Sequence, residues 1–391
     1  MQQTFKRSMI ATATAVLITS AAQAADINVG VILGFTGPIE SLTPAMAKGA
    51  EMAFREASNS GKLLNGATIV SKRADSTCVD SNAATAAAER LISSDGVVAI
   101  MGADCSGVTG AIAKNVAATS GVAMISPSAT SPGLSTIGDI FFRTAPSDAR
   151  QGVVLANIVK DRNIDTVAIT YTNNDYGKGL SDSFSKAFRE LGGDIAIEAA
   201  HEDGKADYSA EVGALSASGA SELVVIGYLD QGGRGIIQSS LDSGAFSRFV
   251  LADGMIGDSL LTVGDLTGTF GTLPGSQSDG AKRFAELDST LGTAPYAPES
   301  YDAGALIALA IQAGGSADRA SIVSNIANVA NKPGTIIMPG QLAKGLEILA
   351  NGGAVNYEGA SSVEFDANGD PAGSYKEQEV RSGKFETINV H

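Results

Sequence analysis

The chain has 391 residues, and its 42 aspartate and glutamate residues outnumber its 27 lysine and arginine residues, for a formal net charge of −15 at pH 7. This acidic balance argues against a protein that binds nucleic acid or an anionic membrane surface. Hydrophobic residues make up 44% of the chain, which argues against intrinsic disorder. The length exceeds what one hydrophobic core usually serves, so two lobes are expected.

The first 24 residues have the pattern of a secretory signal peptide. Lys6 and Arg7 supply its positive charge, residues 9–19 form its apolar stretch, and residues 22–24 read Ala-Gln-Ala, a typical cleavage site. We therefore expect cleavage after Ala24 and a soluble mature protein in the periplasm. No later stretch is long and apolar enough to predict a transmembrane helix.

The chain has two cysteines, Cys78 and Cys105. An oxidising compartment favours a structural disulfide between them, and the alternative is a pair of buried free thiols. Cys105 lies in a glycine-flanked stretch where an apolar run ends and a helix is expected to begin near Val108. The free N–H groups of such a helix start can bind an anion, with the hydroxyl of Ser106 beside them.

Short apolar runs alternate with stretches of helical periodicity in the first part of the chain. The predicted strands are residues 27–33, 68–74, 97–101 and 123–126. The predicted helices are residues 43–58, 81–94 and 108–119. Continuous short apolar runs are typical of parallel strands that are covered on both faces. This part of the chain is therefore predicted to form a doubly wound α/β lobe.

The alternation restarts after a break at residues 142–146, which predicts a second lobe of the same architecture. Its predicted strands are residues 166–171, 194–200, 222–226 and 249–251. Its predicted helices are residues 177–191, 208–217 and 231–243. Open α/β sheets bind ligands beyond the carboxyl ends of their strands. Two such edges that face each other would make a cleft that closes by hinge motion.

The last part of the chain departs from this alternation. A break at residues 271–275 precedes predicted helices at residues 279–287, 300–313 and 317–330. These extra elements predict a hinge of several crossovers. We expect residues 25–145 and 275–352 in the first lobe, and residues 146–274 and 353–391 in the second.

A hairpin is predicted near the end of the chain. Short strands at residues 362–365 and 374–380 flank the turn sequence Asn368-Gly369-Asp370. The spacing of Asp366, Asn368 and Asp370 also resembles a calcium loop. The glycine is misplaced and the distant glutamate is missing, however, so the turn is favoured.

The sequence offers little support for catalysis. Its two histidines, His201 and His391, lack metal-ligand spacing, and His201 is expected to be a solvated residue at a strand end. Nucleophile-elbow, zinc-protease and phosphate-loop motifs do not occur. We therefore expect a protein that is not an enzyme and that uses no cofactor or metal.

Polar residues follow the predicted strands of both lobes. The first lobe contributes Ser106, Ser128, Ala129 and Thr130, and the second contributes Tyr176, Tyr228 and Asp253. Each alone could simply cap a helix. Together they suit a zwitterion, because hydroxyls and helix N-termini bind a carboxylate while Asp253 pairs with an ammonium group. The two tyrosines would add rigid walls and hydrogen bonds.

At these residues the chain resembles the branched-chain amino-acid type of periplasmic substrate-binding protein, which serves ABC importers. The motifs that carry the resemblance are residues 28–38 (NVGVILGFTGP), 105–106, 128–130, 171–180 (YTNNDYGKGL) and 356–370 (NYEGASSVEFDANGD). The resemblance implies the type I periplasmic binding fold of two doubly wound lobes with a ligand cleft between them. It also implies the Cys78–Cys105 disulfide.

The resemblance implies a role for each strand-end residue. Ser106, Ser128, Ala129 and Thr130 would contact the ligand carboxylate, and Tyr176, Tyr228 and Asp253 would act from the other lobe. The chain departs from its relatives at Leu42, where they often carry an aromatic residue nearby. Leu42 would therefore shape a different pocket for the ligand side chain.

The expected function is capture of an amino acid and its delivery to an ABC permease by a monomeric binding protein. A binding protein of the same fold for an aromatic acid, an amide or urea, or a short peptide is the first alternative. A periplasmic hydrolase and a sensory ligand-binding protein are the others.

Overall fold

A five-stranded parallel sheet forms the centre of the first lobe. The computed structural model describes residues 26–391, so the predicted signal peptide and its cleavage site after Ala24 lie outside the described residues. The strands are β1 (Asp26–Leu33), β2 (Thr68–Asp75), β3 (Ala99–Gly102), β4 (Ala123–Ser126) and β5 (Phe141–Arg143). They lie in the order β2-β1-β3-β4-β5. Strands β3 and β4 are buried along their whole length, which explains their continuous apolar sequences.

Helices cover both sheets and connect their strands. In the first half of the chain they are α1 (Thr43–Asn59), α2 (Ser81–Ser93), α3 (Ser106–Ile112), α4 (Ala118–Ser120), α5 (Asp148–Asp161), α6 (Asp175–Glu190), α7 (Ser209–Ser216) and α8 (Gly232–Ser243). In the second half they are α9 (Asp279–Leu287), α10 (Ser289–Thr293), α11 (Ala297–Ala313), α12 (Arg319–Ala330) and α13 (Leu342–Ala350). Helices α3 and α4 are joined by a π-helical turn at Ala113–Ala117. Helix α11 packs along α1 and contacts β3 and β4, which places it in the first lobe.

The second lobe repeats the strand order of the first. Its parallel strands are β6 (Thr166–Thr172), β7 (Asp194–His201), β8 (Glu222–Ile226), β9 (Phe249–Leu251) and β10 (Phe270–Pro274). They lie in the order β7-β6-β8-β9-β10. In each sheet the connections reverse direction between the first and third strands of the lobe, which is where α/β sheets bind ligands. The predicted fold class, two doubly wound α/β lobes, is confirmed.

The predicted terminal hairpin was wrong in its position. Residues 362–365 do not form a strand, and only an isolated bridge joins Phe365 to Pro371. The hairpin consists of β13 (Tyr375–Arg381) and β14 (Lys384–Val390), and β13 pairs antiparallel with β10. The segment near residue 370 is held instead by the ion pair of Asp370 with Arg143. This long-range contact adds to a local turn, in which the N–H of Gly369 donates to Asp366 O over 3.1 Å.

A small sheet of β11 (Thr335–Ile337) and β12 (Val355–Tyr357) lies beside the helices of the first lobe. Asp302 of α11 accepts a hydrogen bond from the Tyr357 hydroxyl over 2.8 Å. We therefore propose that the last crossing between lobes follows β12, rather than residue 352 as the sequence suggested. None of the helices in residues 26–391 has the length and hydrophobicity that crossing a bilayer requires.

His201 at the end of β7 is buried rather than solvated, which corrects the expectation from the sequence. Its Nδ1 atom lies 2.8 Å from the hydroxyl of Thr170, and its ring packs edge-on against Tyr208. Burial lowers the pKa of His201 to about 4, so the imidazole is neutral. Its role is structural, in the packing of β7 against α8.

Candidate functional site

The carboxyl ends of the strands in both lobes meet at a small cavity of about 20 Å³. Its lining includes Leu42, Ser106 and Ser128 from the first lobe, and Tyr176, Tyr228 and Asp253 from the second. Six of the eight predicted ligand-binding residues therefore come together at one place. Ala129 and Thr130 are buried beside it but do not line it. A volume of this size holds about one water molecule, so the lobes are closed tightly here.

Contacts across the mouth of the cleft hold the lobes in this closed arrangement. The backbone N–H of Asp230 donates to Pro38 O over 3.0 Å, and Asp230 Oδ2 accepts from the N–H of Ser41 over 2.9 Å. The hydroxyls of Ser41 and Ser259 lie 3.5 Å apart. A Cβ atom at Gly257 would lie only 3.2 Å from Leu42 Cδ2, so the second lobe packs directly on this leucine.

The disulfide and a buried carboxylate position the start of α3. Cys78 and Cys105 are joined, with their Cα atoms 5.2 Å apart. The carboxylate of Asp104 accepts hydrogen bonds from the N–H groups of Gly34 over 2.7 Å and Cys105 over 3.0 Å. Burial raises the pKa of Asp104, and these backbone donors oppose the increase. Strand β1, the loop after β2 and the loop after β3 are thus tied together directly before Ser106.

The hydroxyls of the first lobe already form hydrogen bonds within the protein. Ser106 Oγ accepts from the N–H of Ser131 over 3.1 Å, which leaves its hydrogen free to donate to a ligand. Ser128 Oγ donates to Asp104 O over 3.0 Å. The N–H of Ala129 donates to Ser126 Oγ over 2.9 Å. Thr130 Oγ1 is buried and has no hydrogen-bond partner in residues 26–391.

Arg143 holds the loop after β4 in place through its guanidinium group. It is completely buried, and its guanidinium forms a bidentate ion pair with Asp370 at 2.6 and 2.7 Å. The same guanidinium donates to the carbonyls of Ala129 over 3.3 Å and Ser131 over 3.0 Å. A planar donor with five N–H groups suits this combination of carboxylate and carbonyl acceptors. Arg143 therefore sets the conformation of the loop that carries Ser128 and Thr130.

Asp253 is the charged residue that the second lobe contributes to the cavity. It begins a short 3₁₀ turn after β9 and is almost completely buried. Its Oδ1 atom accepts from the hydroxyl of Tyr176 over 2.7 Å, and its Oδ2 atom accepts from the hydroxyl of Tyr296 over 2.5 Å. Burial raises the pKa of Asp253, while the hydrogen bonds from Tyr296 and Tyr176 oppose the increase. No salt bridge to a cationic side chain reaches this carboxylate within the part of the chain that the structure describes.

The two tyrosines of the second lobe form one wall of the cavity. The rings of Tyr176 and Tyr228 stack with their centroids 5.3 Å apart and an interplanar angle of 18°. The hydroxyl of Tyr176 also accepts from the N–H of Gly254 over 3.1 Å. Tyr176 lies in the first turn of α6, and Asn174, which precedes this helix, caps it by accepting a hydrogen bond from the N–H of Gly177. The ring of Tyr176 is therefore fixed by packing and by hydrogen bonds, and the ring of Tyr228 is fixed by packing.

Tyr296 is the main residue that the sequence did not reveal. It precedes α11 with φ +59°, a left-handed conformation that is unusual for a bulky residue. Such a conformation costs free energy and is typical of functional sites. The local pattern that could have drawn attention to Tyr296 is an aromatic residue two positions before Pro298, at the start of a helix. The sequence could not show that this side chain reaches Asp253 in the other lobe.

Two buried polar side chains of α5 lie close to Asp253. Asp148 and Gln151 on α5 are buried, and both carboxyl oxygens of Asp148 and Oε1 of Gln151 lack hydrogen-bond partners in residues 26–391. Burial, together with the neighbouring Asp253, raises the pKa of Asp148 well above its usual range. The neutral form of Asp148 is thereby favoured.

A buried cleft between two hinged α/β lobes, with hydroxyls on one side and a carboxylate on the other, is the arrangement of a two-lobed solute-binding protein. Comparison with known sequences agrees with this class. The pattern of a family described as periplasmic binding protein matches residues 26–344. The chain belongs to the periplasmic binding protein family, which confirms the resemblance that its motifs indicate.

Two related sequences show the branch of the family. The Leu/Ile/Val-binding protein homolog 3 of Brucella melitensis is 30% identical over 331 residues, which cover 81% of this chain and 87% of the relative. The leucine-, isoleucine-, valine-, threonine-, and alanine-binding protein of Pseudomonas aeruginosa is 29% identical and covers 72% of this chain and 77% of the relative.

Solved structures show the same fold. A leucine-binding protein of Thermotoga maritima superimposes with a TM-score of 0.79 at 24% identity, over 93% of this chain and 98% of that protein. A solute-binding protein of Rhodopseudomonas palustris in complex with 4-hydroxybenzoate superimposes with a TM-score of 0.75 at 20% identity, over 94% of this chain and 97% of that protein. These proteins therefore share one fold and carry different ligands.

Proposed function

We propose that this protein captures an α-amino acid between its two lobes and delivers it to an ABC permease. It would act as a monomer in the periplasm after removal of the predicted signal peptide. The names of the related sequences, which bind leucine, isoleucine, valine and other amino acids, support this assignment.

The buried carboxylate of Asp253 is the observation that carries the proposal. Two tyrosine hydroxyls hold it in place, and no cationic side chain of the described residues neutralises it. A buried carboxylate without a counter-ion is costly. An α-ammonium group would supply that counter-ion and form charge-assisted hydrogen bonds.

The first lobe would bind the α-carboxylate. Ser106 retains a free hydroxyl hydrogen, Ser128 lines the cavity, and the buried Thr130 follows Ser128 by two residues. All three follow strands β3 and β4, whose loops are held by the disulfide and by Arg143. Because these groups are held before the ligand arrives, less conformational entropy is lost on binding.

Ligand binding would stabilise the closed form of the lobes. The closed lobes bring Asp253 and the hydroxyls of the first lobe to opposite sides of one cavity. A ligand that contacts both lobes has a higher affinity for the closed form than for an open one, and it shifts the equilibrium by that difference. The cavity of about 20 Å³ must expand around any amino acid, so partial opening precedes or accompanies binding.

Isothermal titration calorimetry of the purified protein against the common amino acids tests the proposal. Asp253→Asn keeps the shape of the side chain but removes its charge, and we expect it to weaken binding of an amino acid by at least 100-fold. Asp182→Asn, on the exposed face of α6, is the matched control and should bind as the wild type does. Absence of binding by every amino acid would rule the proposal out.

A carboxylate without an ammonium group is the second candidate ligand. The fold is shared with a protein in complex with 4-hydroxybenzoate, and the stacked tyrosines could hold an aromatic ring. Such a ligand would make no ion pair with Asp253. Asp253→Asn would therefore leave its affinity unchanged or improve it, which separates the two candidates.

A further inference from the structure

A second and much larger cavity adjoins the small one. Its volume is about 870 Å³, and it lies between α1 and the start of α11 on one side and β10 with the terminal hairpin on the other. Leu42 and Tyr296 line both cavities, so their side chains form the partition between them. Both residues belong to the first lobe and are pressed against the second, at Gly257 and Asp253 respectively. A slight opening of the lobes would therefore connect the two cavities.

Glu299 is the buried charged residue of the larger cavity. It is 1% exposed, and its Oε2 atom has no hydrogen-bond partner in residues 26–391. Burial raises its pKa to about 7. Glu299 lies in the first turn of α11, three residues after Tyr296, and both residues line the larger cavity. An unpaired carboxyl group is thus part of the cavity that adjoins the ligand site.

The other charged residues that line this cavity are more exposed than Glu299. Asp258 and Lys384 are exposed, and Lys376 is partly buried but forms no salt bridge with Glu299. An internal pair with Lys376 would be the simplest way to neutralise Glu299. Lys376 lies near enough to oppose the increase in the pKa of Glu299, but no salt bridge joins them, so Glu299 Oε2 has no direct partner among the described residues and can accept a cation from outside the chain.

We propose that the side chain of the bound amino acid passes between Leu42 and Tyr296 into the larger cavity, where a terminal ammonium or guanidinium group binds Glu299. The substrate class would then be an α-amino acid with a long basic side chain, and this inference rests on the proposed function. The small cavity of about 20 Å³ must expand even for the zwitterionic head group, so it leaves no room for a long side chain. Leu42 lines both cavities, so its side chain borders this passage.

Calorimetry with three ligands tests the proposal: alanine, norleucine and lysine. Norleucine has the same carbon chain as lysine and lacks the terminal ammonium group. We expect the wild type to bind lysine at least 10-fold more tightly than norleucine, the ratio that one charge-assisted hydrogen bond in a buried site supplies. Glu299→Gln should remove this difference and leave the affinity for norleucine within about 2-fold. Glu286→Gln, exposed on α9, is the matched control and should bind all three ligands as the wild type does.

A second variant tests the route of the side chain. Leu42→Trp should fill the partition and weaken lysine and norleucine at least 10-fold more than it weakens alanine. Lys376→Met removes a positive charge near Glu299, which has the same sign as the ligand's terminal ammonium group, and should leave lysine binding equal to the wild type or tighter. Weaker lysine binding by this variant would instead show that Lys376 contacts the ligand, and it would overturn the assignment to Glu299.

The outcomes separate this inference from the proposed function. Equal binding of lysine and norleucine by the wild type, or binding of alanine or leucine but not lysine, would overturn the inference and leave the proposed function intact. Binding of no amino acid at all would contradict the proposed function itself.

Discussion

The hydroxyl of Tyr296 in the first lobe donates a hydrogen bond to Asp253 Oδ2 in the second lobe, over 2.5 Å. The two residues are 43 positions apart in the sequence and belong to opposite sides of the cleft. Their contact exists only when the lobes are closed. It therefore couples the carboxylate that is proposed to bind the ligand ammonium with the conformation of the whole protein.

Tyr296→Phe should weaken the closed form, because it removes a hydrogen bond to a charged group, a contact that contributes about 1.5–3 kcal/mol. Ligand affinity should fall about 10-fold, and most of the change should appear as faster dissociation. Stopped-flow or surface plasmon resonance measurements of ligand dissociation check this. Tyr301→Phe is the control, because the Tyr301 hydroxyl bonds to Glu56 away from the cleft and its loss should leave dissociation unchanged. An unaltered dissociation rate in Tyr296→Phe would show that the contact does not stabilise the closed form.

Asp370→Asn should destabilise the protein strongly, because it leaves the buried guanidinium of Arg143 without its counter-ion. Breaking a buried pair by removing one partner costs about 3–5 kcal/mol. Urea unfolding followed by circular dichroism measures the loss. Asp366→Asn, on the exposed part of the same loop, should change stability by less than about 1 kcal/mol. Similar unfolding curves for the two variants would contradict the structural role of Arg143.

Reduction of the Cys78–Cys105 disulfide should lower stability and weaken ligand binding without removing a ligand contact. The bridge closes a loop with a sequence separation of 27, for which loss of the cross-link costs about 3–4 kcal/mol on the chain-entropy estimate. Thermal unfolding and calorimetry of the oxidised protein, the reduced protein and the double alanine variant check this. If the reduced protein binds and unfolds like the oxidised one, the disulfide does not position the loop before Ser106.

Glu299 should make the stability of the wild type fall as the pH rises. Its pKa is about 7 in the folded protein against 4.5 for the unfolded chain, so the folded state binds the proton more tightly between these values. The stabilisation is complete below pH 4.5 and is lost as the pH rises through 7. Between pH 5.5 and pH 8 this group should cost on the order of 2 kcal/mol.

Comparison with Glu299→Gln isolates this contribution from other titrating groups. The free energy of unfolding of the variant, relative to the wild type, should be higher at pH 8 than at pH 5.5. Urea titrations at the two pH values measure it. An equal difference at both values would mean that Glu299 titrates normally in the folded protein.

Much of the fold could be predicted because its signals are local. Residues 222–226 and 249–251, for example, are the bounds of β8 and β9 in the structure. Short apolar runs and helical periodicity reflect burial on both faces or on one face, and neighbouring residues are enough to show it. The terminal hairpin was misplaced because its register depends on pairing with β10, which is more than 100 residues away.

The sequence by itself determined that this is an acidic α/β chain with polar residues at the carboxyl ends of its strands. It also placed Ser106, Ser128, Tyr176, Tyr228 and Asp253 at those ends, because strand ends follow from local patterns. Only the tertiary structure decided which of these groups remain free to bind a ligand.

The contact of Tyr296 with Asp253, the support of the Ser128 loop by Arg143, and the larger cavity at Glu299 arise from packing between distant segments. Such contacts depend on the relative position of elements far apart in the chain. No spacing within a single segment encodes that position.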